Sequence, residues 1–248
     1  MKLAFVFPGQ GSQAVGMLDG FASSPSVQAL LGQADAALGE PLSTLIARGP
    51  AETLALTVNT QPAMLAAGYA CWLAWRDAGG PAPAAVAGHS LGEYTALTVA
   101  GAFDVGDALR LVRVRAQAMQ EAVPVGQGGM AAILGLDDDK VRQACREAAG
   151  EAPGEVVEPA NYNAPAQVVI AGHKAAVERA CERARALGAK RAMPLAVSAP
   201  FHSSLLRPAG ERLAQALASV ELRAPRVPLV NNVDVAIETE PARIRDAL

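Results

Sequence analysis

The sequence predicts an α/β protein built on a parallel sheet, with a smaller ferredoxin-like α+β subdomain inserted into it. Three observations lead there. Strand-like and helix-like segments alternate along the 248 residues, as when helices join the strands of a sheet. The first segment, Leu3 to Phe7, is continuously apolar, the pattern of a strand covered on both faces. Between residues 126 and 196 the order becomes strand, helix, strand, strand, helix, strand, which is the ferredoxin-like order. Residues 1–125 with 197–248 are expected to form the large subdomain, and 126–196 the insert.

The elements follow in order. The loop Pro8-Gly9-Gln10-Gly11-Ser12-Gln13 succeeds the first strand. Ser24-Pro25 opens a helix, serine as N-cap and proline at the first helical position, and Gly39 lies past its end. Thr60-Gln61-Pro62 repeats that start signal for a helix reaching Asp77 and closing at Gly79-Gly80. Ala84 to Ala87 is a strand, Gly88-His89-Ser90-Leu91-Gly92 follows it, and Leu91 to Ala100 and Asp104 to Ala122 are helices. In the insert, Met130 to Leu134, Val156-Val157, Gln167 to Ala171 and Lys190 to Leu195 are the strands, with Asn161 to Pro165 a loop between the middle two. Its helices run from a cap at Asp137 to Asp139 as far as Ala148, and from Lys174 to Leu187. A helix after Phe201-His202 runs to Ala218, Pro225 and Pro228 bracket a strand ending in Asn231-Asn232, and a last helix runs from Pro241 to Leu248. That helix reads as lacking a cap and a basic closing turn, so the large subdomain is expected to be truncated at its C-terminal end.

Composition narrows the function. A net charge of -3 lacks the basic balance of a nucleic-acid binder. Cys71, Cys145 and Cys181 are odd in number and widely spaced, which reads as reduced thiols in the cytoplasm. His89, His173 and His202 are scattered, and none stands at ligand spacing from a cysteine, so no metal site is expected. No apolar stretch approaches membrane-spanning length, and Pro8-Gly9 ends the first one too early for a signal peptide. Aromatics are only 4%, so alanine, valine and leucine must build the core.

The chemistry centres on Gly88-His89-Ser90-Leu91-Gly92, which fits G-x-S-x-G. A serine on a sharp strand-to-helix turn keeps its hydroxyl clear of the backbone, and the helix N-terminus offers N–H groups to a developing oxyanion. Such a serine needs a base. His89 is expected to fill space beneath the turn and His173 to be a solvated surface residue, which leaves His202, in a loop where the chain re-enters the large subdomain. The loop Pro8 to Gln13 is the natural source of a second oxyanion donor, so that the N–H groups of Gln10 and Leu91 face one oxygen. Arg110, Arg113 and Arg115 share a helix; any one of them, if buried, could hold a carboxylate through two hydrogen bonds. Spacing does not choose among them.

Six blocks together resemble the malonyl-CoA:acyl-carrier-protein transacylases, acyltransferases of bacterial fatty-acid and polyketide synthesis: Phe7 to Gln13, Asn59 to Ala63, Gly88 to Tyr94, Arg115 to Glu121, Asn161 to Gly172 and Ser198 to Ser203. The resemblance covers essentially the whole chain. It implies a hydrolase-like large subdomain, Ser90 as acylated nucleophile, His202 as its acid/base partner, an oxyanion hole from the backbone N–H groups of Gln10 and Leu91, and Arg115 on the free malonyl carboxylate. Gln61 is implied as a further contact in that pocket. Phe201 stands in a run resembling the malonyl-selective form of this loop and would crowd an α-methyl group, which is worth about 1–3 kcal/mol of discrimination. The implied partners are malonyl-CoA and an acyl carrier protein, in a ping-pong reaction of a monomer with no bound cofactor. Arg183, Arg185, Lys190 and Arg191 form a candidate basic patch for an acidic carrier. In the family a main-chain carbonyl beyond the equivalent of Leu248 orients the histidine, and a further segment adds to the sheet. Competing readings are an α/β serine hydrolase or thioesterase, the transacylase subunit of malonate decarboxylase, a stand-alone polyketide acyltransferase, and a non-catalytic docking module.

Overall fold

A computed structural model of the chain describes residues 2–248. Its first strand, β1 (Ala4–Phe7), shows that the opening apolar run is not covered on both faces. Phe7 is buried, whereas Val6 is 72% exposed. Strand alternation sends Phe5 and Phe7 to the same side, where the Phe5 ring meets Trp72 and Trp75 edge-on at 5.5 and 5.7 Å. The period of two, rather than the mean hydropathy of the run, sets its environment.

Helix α1 (Pro25–Leu38) obeys its sequence signals. Ser24 Oγ accepts from the Val27 N–H at 3.5 Å, and Gly39 closes the helix at φ +67. Two short helices follow, α2 (Leu42–Arg48) and α3 (Ala51–Leu54), whose N-caps Pro41 and Pro50 offer no side-chain acceptor. Helix α4 (Thr57–Asp77) begins three residues before the expected start. The Thr60 N–H already donates to Leu56 O at 2.8 Å, so Pro62 lies inside the helix instead of opening it. It removes one helical donor. Residues 60–67 of this helix are all buried, so α4 serves as a core helix.

Strand β2 (Ala85–Gly88) leads through the Ser90 turn into α5 (Gly92–Val99), and α6 (Val105–Glu121) follows. Next come β3 (Gly128–Leu134) and α7 (Asp138–Gly150), whose first-turn Asp138 and Asp139 complement the helix dipole. Strand β4 (Val157–Ala164) absorbs most of the segment expected to be a loop. It is an edge strand with register shifts between Pro159 and Asn161 and between Tyr162 and Ala164. Such bulges let an edge strand accommodate proline. Then come β5 (Gln167–His173), α8 (Lys174–Ala186), β6 (Arg191–Pro194) and α9 (Arg207–Ala218). Strand β7 (Leu229–Val230) starts after Pro228 and is not bracketed by the two prolines; the Pro228 carbonyl accepts from Val86 N–H at 2.9 Å. Strand β8 (Ile237–Glu238) had no separate sequence signal. Helix α10 (Pro241–Ala247) does have a basic residue in its last turn, contrary to expectation: Arg245 donates to Val220 O at 3.2 Å.

One sheet has the order β1-β2-β7-β8, with β1, β2 and β7 parallel and β8 antiparallel. The other has the order β4-β5-β3-β6, antiparallel throughout. The chain divides into two compact units, 1–117 with 213–248, and 118–212. The boundaries suggested by sequence, at 125/126 and 196/197, lie within the second unit. Among the described residues, the first unit has one apolar core that includes Leu30, Ile46, Leu65, Leu97, Leu109 and Leu229. The second has two, one around Ile133, Val168 and Val177 and one around Met119, Met130 and Leu206. No helix among the described residues is long and apolar enough to cross a membrane.

Candidate active site

The turn between β2 and α5 exists because glycine flanks Ser90 on both sides. Ser90 has φ +52, a left-handed conformation that side chains other than glycine rarely adopt. A Cβ on Gly88 would lie 1.9 Å from the Gly92 carbonyl carbon, and one on Gly92 would lie 2.1 Å from the Phe7 carbonyl oxygen. Neither position has room for a side chain. The His89 N–H donates to Phe7 O at 3.0 Å and ties the turn to β1. The N–H groups of Gly92, Glu93 and Tyr94 return to the carbonyls of His89, Ser90 and Leu91 at 2.9, 3.1 and 3.0 Å, starting α5.

The loop after β1 reaches the same turn. A Cβ on Gly9 would meet His89 O at 2.8 Å, so glycine there permits the close approach. Gln10 Nε2 donates to Thr57 Oγ1 at 3.2 Å, which fastens the loop to the start of α4.

Sequence spacing leaves three arginines open, and the structure separates them. Arg110 is exposed beside Asp107 at 2.7 Å. Arg113 pairs with Glu40 and reaches Asn59 Oδ1 at 3.4 Å. Arg115 turns inward and is 7% exposed. Its Nη2 donates to Ser90 Oγ at 3.0 Å and its Nη1 to Gln61 Oε1 at 2.9 Å. Its guanidinium lies 5.3 Å from the centroid of the buried Tyr94 ring, within cation–π range. Ser90, Gln61 and Arg115 therefore meet in the first unit, next to Leu91, which is also buried.

Two residues that the motifs did not single out complete this cluster. Asn232 Oδ1 accepts from the Ser90 N–H at 3.0 Å, while its Nδ2 donates to Gly88 O at 2.5 Å and to Glu93 Oε2. The Asn232 N–H also donates to Glu93 Oε2, at 3.2 Å. Glu93 is buried, and burial pushes its carboxyl above the usual glutamate range; the hydrogen bonds from Asn232 and the charge of Arg115 pull partly back. The signals were a polar pair, Asn231-Asn232, at the carboxyl end of a parallel strand, where sites form, and an acidic residue in the first turn after the serine.

The histidines behave differently from expectation in two cases. His89 does not fill space beneath the turn, since it is exposed. His173 is not a solvated surface residue; it is half-buried, and its Nδ1 accepts from the Val156 N–H at 2.9 Å. His202 belongs to the second unit, exposed on its loop at φ +61. The adjoining Ser203 Oγ donates to Pro200 O at 2.7 Å. Phe201 packs into the core of the second unit with Met119, Met130 and Leu206. The buried thiol of Cys145 is pushed up to about 12 by burial, the wrong direction for a nucleophile.

A serine hydroxyl on a left-handed turn, at a helix N-terminus and hydrogen-bonded to a buried cation, is equipped for acyl transfer with recognition of an anionic group. Residues 4–243 match the acyl transferase domain family. The chain belongs to that family and is an acyltransferase. The whole chain aligns at 56% identity with 79% of a malonyl CoA-acyl carrier protein transacylase from Salmonella typhimurium. It superposes with TM-score 0.96 and 63% identity on the crystal structure of an acyl-carrier-protein S-malonyltransferase from Burkholderia pseudomallei, covering all of this chain and 80% of that one. It superposes equally fully, with TM-score 0.95 and 50% identity over 79% of the other chain, on a structure of a type II PKS acyl-carrier protein in complex with its malonyl-transacylase.

Proposed function

We propose that the chain transfers a malonyl group from malonyl-CoA to the phosphopantetheine thiol of an acyl carrier protein, through a malonyl-serine intermediate on Ser90. The observation that carries this reading is the buried Arg115 guanidinium 3.0 Å from Ser90 Oγ. An acyl group with its own carboxylate satisfies that cation, whereas a neutral acetyl or long-chain group leaves it unpaired. Gln61, already bonded to Arg115 Nη1, holds the guanidinium plane. The named activities of the transacylase from Salmonella typhimurium and the malonyltransferase from Burkholderia pseudomallei support the same substrate. The complex with an acyl-carrier protein supports the same acceptor.

In the first half-reaction Ser90 Oγ attacks the thioester carbonyl and its proton passes to His202. The backbone N–H groups of Gln10 and Leu91 hold the tetrahedral oxyanion. The C–S bond then breaks, the proton goes to the CoA sulfur, and CoA leaves. In the second, the carrier thiol gives its proton to His202 and its sulfur attacks the malonyl ester; the ester C–O bond breaks and Ser90 regains its proton. No resident cofactor takes part in these steps. Phe201, beside His202, is the residue assigned to discrimination against an α-methyl group.

Intact-protein mass after brief incubation with malonyl-CoA tests the reading. A single malonyl adduct is expected on the natural sequence and none on Ser90→Ala. Arg115→Ala should lower malonylation on the order of 10²-fold while changing acetylation from acetyl-CoA much less. An adduct that persists without Ser90, or equal loss for malonyl and acetyl groups, would overturn it.

A further inference from the structure

Ser90 sits at φ +52, and a non-glycine residue stays there only where its surroundings over-determine it. The glycines at 88 and 92 leave room for the turn but do not hold it. A side chain 142 residues away bonds the backbone on both sides of the elbow: Asn232 takes the Ser90 N–H on Oδ1 and gives Nδ2 to Gly88 O. These are the donor of the nucleophile itself and the acceptor two residues before it. An amide can meet them only one way round, and Glu93 fixes which way. The Glu93 carboxylate oxygen receives Asn232 Nδ2 and the Asn232 backbone N–H together, so a flipped amide would point its oxygen at a carboxylate. Glu93 is buried in the first turn of α5, on the helix whose start the elbow forms. With the Ser90 N–H committed to Asn232, the oxyanion must draw on other donors, which agrees with the role given to Leu91.

We propose that Asn232 is a positioning residue for acyl transfer: it clamps the Ser90 turn, and Glu93 orients its amide. This rests on the reading that Ser90 is the acylated nucleophile. Asn232→Ala should lower the maximal rate of Ser90 malonylation on the order of 10²-fold. The malonyl-CoA concentration giving half that rate should stay within about threefold of wild type, because the Arg115–Gln61 pair is untouched. Asn232→Asp keeps the acceptor for Ser90 but sets two carboxylates face to face, and should be equally slow. Adding Glu93→Gln removes one of the two facing charges and should restore about tenfold of the loss, a coupling that a general fold defect would not give. Far-UV circular dichroism checks folding; if Asn232→Ala is unfolded, Asn232→Asp with and without Glu93→Gln decides. The proposal is overturned by a folded Asn232→Ala protein with wild-type maximal rate, by a loss confined to half-saturation, or by a double variant no faster than Asn232→Asp. Labelling of Ser90 by a fluorophosphonate, which needs no malonyl-CoA, repeats the comparison. If the wild type takes no malonyl group but the labelling rates still fall and recover as described, the malonyl reading fails and the clamp stands.

Discussion

At the scale of single residues, Glu93 sets burial against charge. Its folded-state carboxyl is held above the ordinary value by burial, more than Asn232 and Arg115 lower it. A raised carboxyl favours the protonated folded state, so its contribution to stability is fully present below the unfolded pKa. That contribution is lost as pH rises through the folded value. Glu93→Gln removes the titration. The thermal midpoint of the variant minus that of the wild type should therefore increase as pH rises from about 4.3, read by melts in matched buffers; a flat or falling difference would refute the assignment. Neither Glu93 nor Asn232 could be read as a partner from sequence, because their contact joins positions 139 apart. Arg115 could be named only through family resemblance. Its helix carries three arginines, and which one turns inward depends on the packing of α6 against Tyr94 and Gln61.

Among elements, glycine marks the difference between a turn that must be tight and a helix that merely tolerates it. Gly92→Ala would put a Cβ 2.1 Å from a β1 carbonyl, where only backbone can yield. It should cost more than about 3 kcal/mol, beyond ordinary overpacking. Gly32 lies exposed inside α1 with nothing within 4 Å of its Cβ site. Gly32→Ala should stabilise by about 0.5–1 kcal/mol. Urea unfolding of both variants checks the contrast, and equal effects would contradict it. Local signals were legible where a cap or a glycine controls the boundary, as in Ser24-Pro25 to Gly39. They failed at α4, where the Leu56 carbonyl starts the helix before Thr60. They failed also at β4, where pairing with β5 makes strand of a segment rich in loop-forming residues.

For the molecule as a whole, surface charge bears on the carrier. Arg183 is engaged by Glu151 at 2.6 Å and Arg185 donates to Ala192 O at 2.7 Å, while Lys190 and Arg191 are exposed. An acidic carrier would be steered by the latter pair. Lys190→Glu with Arg191→Glu should slow transfer from malonyl-Ser90 to the carrier, increasingly so at low salt, and leave malonylation by malonyl-CoA unchanged. Equal loss in both half-reactions, or in neither, would remove that role.

The sequence by itself determined the α/β class, the strand–elbow–helix around Ser90 and the capped helix after Ser24, since each depends on residues near one another in the chain. Only the tertiary structure decided that Arg115 is the arginine beside Ser90, that Val6 faces outward, and that Asn232 bonds to Ser90, Gly88 and Glu93. Burial and long-range hydrogen bonding depend on which distant segments pack together, and no local pattern encodes that.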